Sequence, residues 1–204
     1  MPRKVLKIIA ITSGLITASM SNSFAAAMPQ SSQAGKVQVY GGYAYTHQAY
    51  KNAWTNSYRT FTGSSPVNDF SGVTFGMNYM MNDWLALDVA WTHYFRKGAA
   101  GLDGRLSGLK VGAMAFKNIN PKADLIGTAG ASVGAFTHNG DGGVGTANPS
   151  FTDTDVSLYL GAGFQYKVSD MFSVRPMLNL MPLHDRADTN YSYGGSISLV
   201  MNLG

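Results

Sequence analysis

Cysteine and glutamate are both absent from this 204-residue chain, so acid–base, metal or ion-pair chemistry falls to its 11 Asp, its 4 His and its 15 Lys and Arg. Asp88, Lys110 and Arg175 each stand inside a stretch made mostly of small and apolar residues, and Asp155 stands at the start of one. Charges in such company must be paired or solvated, because an isolated one is costly to bury. Tyr50, Lys51, Trp54, Tyr58, Arg59 and Phe61 form a second group, a mixture of aromatic and basic side chains in a polar segment. Such mixtures are typical of contact surfaces. Lys51 and Arg59, with Arg96, Lys97 and Arg105, would also attract phosphates or other anionic groups. His47, His93, His138 and His184 would make a metal site or a pH sensor only if the fold made them converge. A Ser-His-Glu catalytic set is excluded by the missing glutamate. A Ser-His-Asp set around His93 or His184 is formally available, but no nucleophile motif accompanies it.

The elements that must position these residues are strands. In Asp155–Tyr166, Val156, Leu158, Leu160, Ala162, Phe164 and Tyr166 fall on one face, and Asp155, Ser157, Tyr159, Gly161, Gly163 and Gln165 on the other. Only a period of two separates them so cleanly. The same alternation predicts further strands at about 36–46, 69–80, 84–95, 105–117, 124–136, 171–183 and 191–203. Pro176 lies inside the seventh and predicts a local bulge or distortion there, since it lacks a ladder donor. Connections alternate too. Met81–Asp83, Asn118–Ala123 and Val168–Asp170 are short turns, while 47–68, 96–104, 137–153 and 184–190 are longer and polar.

On the apolar face, Tyr43, Tyr45, Phe95 and Tyr193 gather towards the long loops, and Tyr79, Tyr166 and Phe172 towards the turns. Two aromatic belts of this kind are expected where rings meet lipid headgroups. The opposite face is small, with Gly42, Gly72, Gly76, Gly112, Gly130, Gly161, Gly163, Ser196 and Ser198 among its members. Small inward residues suit the tight interior of an eight-stranded barrel, which leaves too little room for a general diffusion pore. The expected fold is therefore all-β, an eight-stranded antiparallel transmembrane β-barrel with short periplasmic turns and longer extracellular loops. In it Asp88, Lys110, Asp155 and Arg175 face the lumen, and the four histidines spread around the loop-end rim as surface residues. Asn139–Gly145 reads as a flexible Gly/Asp loop, one unrepeated copy being weak as a calcium site.

Residues 1–27 read as a secretory signal peptide, with Arg3, Lys4 and Lys7 before a short apolar run at 8–16 and small residues allowing cleavage after Ala25 or Ala27. Residues 28–204 then form a single barrel domain. Removing the three leader cations leaves 12 basic residues against 11 acids, so the charge is no argument for nucleic-acid binding. Met28–Gly35 does not make an amphipathic helix, and no segment is long and apolar enough for a helical span.

The leader, the eight alternating strands and a last strand reaching the C-terminus together resemble the OmpA-type transmembrane barrel and its small relatives of the OmpX and Ail kind, over essentially all of 36–204. The resemblance implies an integral outer-membrane protein with both termini in the periplasm. It implies an internal ion-pair plug drawn from Asp88, Lys110, Asp155 and Arg175, and delivery by the barrel-assembly machinery. That machinery commonly reads a terminal aromatic, and this chain ends Leu203-Gly204 instead. The expected role is structural, supporting envelope integrity, with loops for adhesion to a host surface or matrix ligand or for lipopolysaccharide contact. A narrow channel is the first alternative and a lipid A-modifying enzyme the second. No cofactor, metal or catalytic residue is expected.

Overall fold

The computed structural model describes residues 33–53, 55–56, 68–95, 97–99, 102–140, 150–184 and 189–203. The leader reading at 1–27 lies outside them. The described residues form nine strands: β1 (Val37–Tyr50), β2 (Asp69–Met80), β3 (Leu85–Tyr94), β4 (Lys97–Ala99), β5 (Leu102–Asn120), β6 (Ala123–Gly140), β7 (Ser150–Lys167), β8 (Phe172–His184) and β9 (Thr189–Leu203). All neighbours are antiparallel, in the order β3-β2-β1-β9-β8-β7-β6-β5-β4, and β3 also pairs with β5. That last pairing closes the sheet. β4 takes over from β3 along the first residues of β5, so the nine strands make eight staves. Closure through β3 and β5 removes the free edges of the barrel wall, which a sheet in lipid requires, while β4 pairs with β5 alone.

The short turns are built as their side chains dictate. Asn82 Oδ1 accepts from the backbone N–H of Trp84 at 3.0 Å and of Leu85 at 2.8 Å, an Asx turn. Ser169 Oγ accepts from the N–H of Phe172 at 3.1 Å. Ahead of β1, Gly35 takes φ 80° and donates its N–H to Met80 O at 2.8 Å, a conformation open to glycine.

The alternation predicts the facing well. Tyr43, Phe75, Met77, Trp91, Leu109, Val111, Leu125, Leu160, Phe164, Leu178, Ile197 and Leu199 all lie exposed on the outer surface. Both aromatic groups named from the sequence are exposed on that surface as well.

Three expectations are corrected. First, the strands run past the point where the apolar alternation stops. β5, β6 and β7 have 19, 18 and 18 residues and take up much of the expected loops 96–104 and 137–153. β1 continues to Tyr50, which pairs with Thr189. A ladder needs only backbone groups, so polar residues continue it once the partner strand is in place. Second, of the bulge or distortion expected at Pro176 only the bulge is corrected, since Pro176 keeps its register against Ile197. The ladder from β8 to β7 is interrupted beside it but not shifted, and the register change falls instead at Leu158–Leu160. Third, the interior is not uniformly small. Phe70, Tyr94, Phe116, Ile126, Tyr159, Met177 and Arg175 are buried within it. Glycines make their space. A Cβ on Gly76 would come within 2.3 Å of the Tyr40 ring, and one on Gly112 within 2.4 Å of Tyr159 Oη.

Candidate functional site

The lumen is layered along the strands. At the turn end Met80, Ala86, Met114, Phe116, Ile126 and Met177 form a buried apolar cluster. Arg175 stands beside it, on β8 three residues from the β7–β8 turn, and is 1% exposed. Its Nε and Nη2 donate to Gln165 Oε1 at 2.9 and 2.6 Å. Nη1 donates to Asn78 Oδ1 at 2.7 Å, and Nη2 also reaches Gln38 Oε1 at 2.6 Å. The guanidinium carbon lies 5.1 Å from the Tyr40 ring centre and 5.7 Å from that of Phe116. Four strands thus supply acceptors and rings to one planar cation, an arrangement that suits arginine's fixed fork.

Asp88 on β3 is 4% exposed and accepts from Tyr40 Oη at 2.8 Å and Asn78 Nδ2 at 2.6 Å. Asn78 therefore bridges the two charges, its oxygen to Arg175 and its nitrogen to Asp88. Gln38 extends the chain by donating Nε2 to Asn202 Oδ1 at 3.0 Å. The ion pairs found among the described residues are His47–Asp69 at 2.8 Å and Lys167–Asp124 at 3.2 Å, neither of them in this network. Asp88 and Arg175 are thus joined through an amide rather than in direct contact. Gln38, Tyr40, Asn78, Gln165 and Asn202 carry no charge and so do not stand out as site residues in the sequence. The available signal was that all five fall on the inward parity near the turn end of their strands.

Lys110 on β5 lies higher. Its Nζ sits 5.7 Å from the Tyr159 ring centre and makes no hydrogen bond to a described residue. It lines two small cavities on the loop side, of about 30 and 40 Å³, which share Thr46, Thr92, Tyr94, Met181 and Ser192. Asp155 lines the second of these, on the opposite side from the Asn78 bridge. Each cavity has room for roughly two or three waters. The four charges predicted for the lumen are therefore divided, with Asp88 and Arg175 in one network and Lys110 and Asp155 around the space above it.

Of the contact-loop residues, Tyr50 ends β1 and donates Oη to Gln48 Oε1 at 2.8 Å, and Lys51 is exposed. Trp54, Tyr58, Arg59 and Phe61 lie outside the described residues. His47 and His93 occupy separate places on the outer surface. His47 Nδ1 faces Asp69 Oδ1, and His93 Nδ1 lies 2.7 Å from Ser107 Oγ while its ring stacks on Trp91. The side chains of His138 and His184 lie outside the description.

Several solved structures share this architecture. Ail, the attachment invasion locus protein of Yersinia pestis, superposes with a TM-score of 0.57 at 19% identity, covering 83% of this chain and 99% of Ail. Ail in complex with the heparin analogue sucrose octasulfate gives 0.56 at 18% identity, over 83% and 99%. Neisserial surface protein A gives 0.52 at 16%, over 84% of this chain and 99% of its own. The N-terminal β-barrel domain of Pseudomonas aeruginosa OprF gives 0.51 at 14%, over 83% and 98%. These likenesses concern the fold. A search of curated proteins returned no match. The family model described as the outer membrane protein beta-barrel domain matches residues 15–199, and with a closed barrel whose apolar side chains face outwards, the chain belongs to that family and is an integral outer-membrane protein.

Proposed function

We propose that this protein stabilises the outer membrane as a closed structural barrel and uses its loop end for contact with anionic surfaces, with both termini on the periplasmic side. The filled lumen is the observation that carries the structural part. The Arg175 network and the apolar cluster next to it occupy the turn end, and the space above them is water-sized. A barrel so filled does not pass solutes, which weighs against a channel. Against an enzyme stands the lack, among the described residues, of a third group hydrogen-bonded to His93 or Ser107, whose own hydrogen bond joins direct cross-strand neighbours.

The contact part rests on chemistry at the loop end. Lys51 and Arg105 are exposed there, and the sequence adds Arg59, Arg96 and Lys97. Ail, which shares the fold, has been crystallised with a heparin analogue. A sulfated or phosphorylated surface glycan, on a host cell or in lipopolysaccharide, has the charge to meet this set. Delivery to the membrane falls to the barrel-assembly machinery.

The test is deletion of residues 53–63, which spares Tyr50 and its pairing with Thr189. Cells displaying equal amounts of parent or deleted protein are compared for adherence to immobilised heparin. Adherence falls on deletion, and the parent's own adherence falls as salt rises, because exposed charges are screened beyond about 8–10 Å. Unchanged adherence at every salt concentration removes the contact reading.

A further inference from the structure

The outer surface is not smooth. Gly195 on β9 faces outwards between Tyr193 and Ile197, and its cross-strand partners are Tyr45 on β1 and Leu178 on β8. A missing side chain thus sits at the centre of four projecting ones. The result, with Tyr43 as a further wall, is a shallow, widely open apolar groove of about 410 Å³ on the lipid side of β8, β9 and β1. Leu178 forms one bank and is 72% exposed. At the loop end the opposite bank is tied to its neighbours by side-chain contacts. Tyr45 Oη donates to Asp69 Oδ1 at 2.5 Å, His47 Nδ1 faces the same oxygen at 2.8 Å, and the His47 ring packs on Tyr193 at 4.9 Å.

We propose that this groove seats one acyl chain of a lipid in the leaflet nearer the loops. The groove is continuous with the lipid-facing band, so its filling is drawn from hydrocarbon and not from water. Unfilled, its walls would forgo their dispersion contacts. A protruding leucine beside a narrow notch suits a thin flexible chain, whereas a second barrel would meet Leu178 before reaching the floor. The His47–Asp69–Tyr45 cluster lies beside the Tyr45 and Tyr193 walls at the loop end and offers polar atoms to the lipid's glycerol or sugar end. The walls stand preformed, which lowers the ordering cost of holding a chain there.

The probe is a nanodisc of phosphatidylethanolamine and phosphatidylglycerol containing the full protein, opened by collision in native mass spectrometry. The parent is expected to retain one lipid at energies where the rest of the annulus is gone. Gly195→Leu fills the groove and Leu178→Ala removes a bank, and both lose that lipid. Ala131→Leu adds comparable bulk to the outer face of β6, away from the groove, and keeps it. Heat-dependent gel mobility verifies that each variant is folded. If Gly195→Leu fails to fold, because its Cβ comes within 3.0 Å of Met177 O, Leu178→Ala carries the test alone. Equal retention in the parent and the groove variants overturns the proposal. So does a disulfide-linked dimer of Gly195→Cys in oxidised membranes, which would place a second copy on the groove. The chain contains no other cysteine to confuse that result.

Discussion

Two cations share the lumen and differ in how they are held. Arg175 has four hydrogen bonds to amide oxygens and two aromatic rings around it, while Lys110 has one ring and a water-sized space. Removing the first strands the amides that face it and takes the positive charge from beside Asp88. Arg175→Met is therefore expected to destabilise by about 3–5 kcal/mol, the usual cost of breaking a buried charge network. Lys110→Met replaces a poorly partnered ammonium with a side chain of similar length, and its cost stays below about 1 kcal/mol. Urea unfolding in lipid vesicles measures both. If Lys110→Met proved the more damaging, the Asn78 bridge would not be what holds the barrel together. The same network limits what facing alone implies. Gln165 faces inwards, yet Gln165→Arg would set a second guanidinium against the first.

At the scale of the strand, tolerance depends on where side chains cross between neighbours. Gly112 on β5 and Gly134 on β6 both face the lumen. A Cβ on Gly112 would lie 2.4 Å from Ala129 O and from Tyr159 Oη, whereas one on Gly134 meets nothing nearer than Ser107 O at 3.5 Å. Gly112→Ala should cost about 1–3 kcal/mol through overpacking, and Gly134→Ala should be close to neutral. Equal folding yields for the two would mean that Tyr159 does not pack over β5. On the outer face the decisive property is polarity. Leu160 on β7 faces lipid, and Leu160→Arg is expected to cost about 2–4 kcal/mol if it lies near the bilayer midplane. Ser157→Asn, three residues away and facing the loop-side cavity, should assemble like the parent. Outer-membrane yield of the two variants decides whether β7 is oriented as described.

The molecule as a whole is one closed ladder filled from within. Every stave pairs on both sides, so unfolding must break the ring as a unit. The folded protein is expected to resist SDS at room temperature and to change gel mobility only on boiling. Its planar-bilayer conductance should stay at baseline while the Arg175 network is intact. Steady conductance by the parent would show that the lumen opens, and the channel reading would replace the structural one.

Facing and strand number were legible in the sequence because a period of two is a local property. In Asp155–Tyr166 each side chain declares its side, lipid or lumen, without reference to any partner. What lay beyond local reading was anything set by a neighbour. Strand ends are one case, since β5 and β6 continue through polar residues only because each offers the other a ladder. The lumen network is another. Gln38, Asn78, Asp88, Gln165 and Arg175 come from five strands and are up to 137 residues apart in hydrogen-bonded pairs. No spacing along one chain segment could have shown that Asn78, rather than direct contact, joins Asp88 to Arg175. The sequence by itself determined which side of the sheet each residue takes, because the chain's own geometry imposes it. Only closure of the barrel, which sets stagger and brings distant strands to one level, decided which inward residues meet.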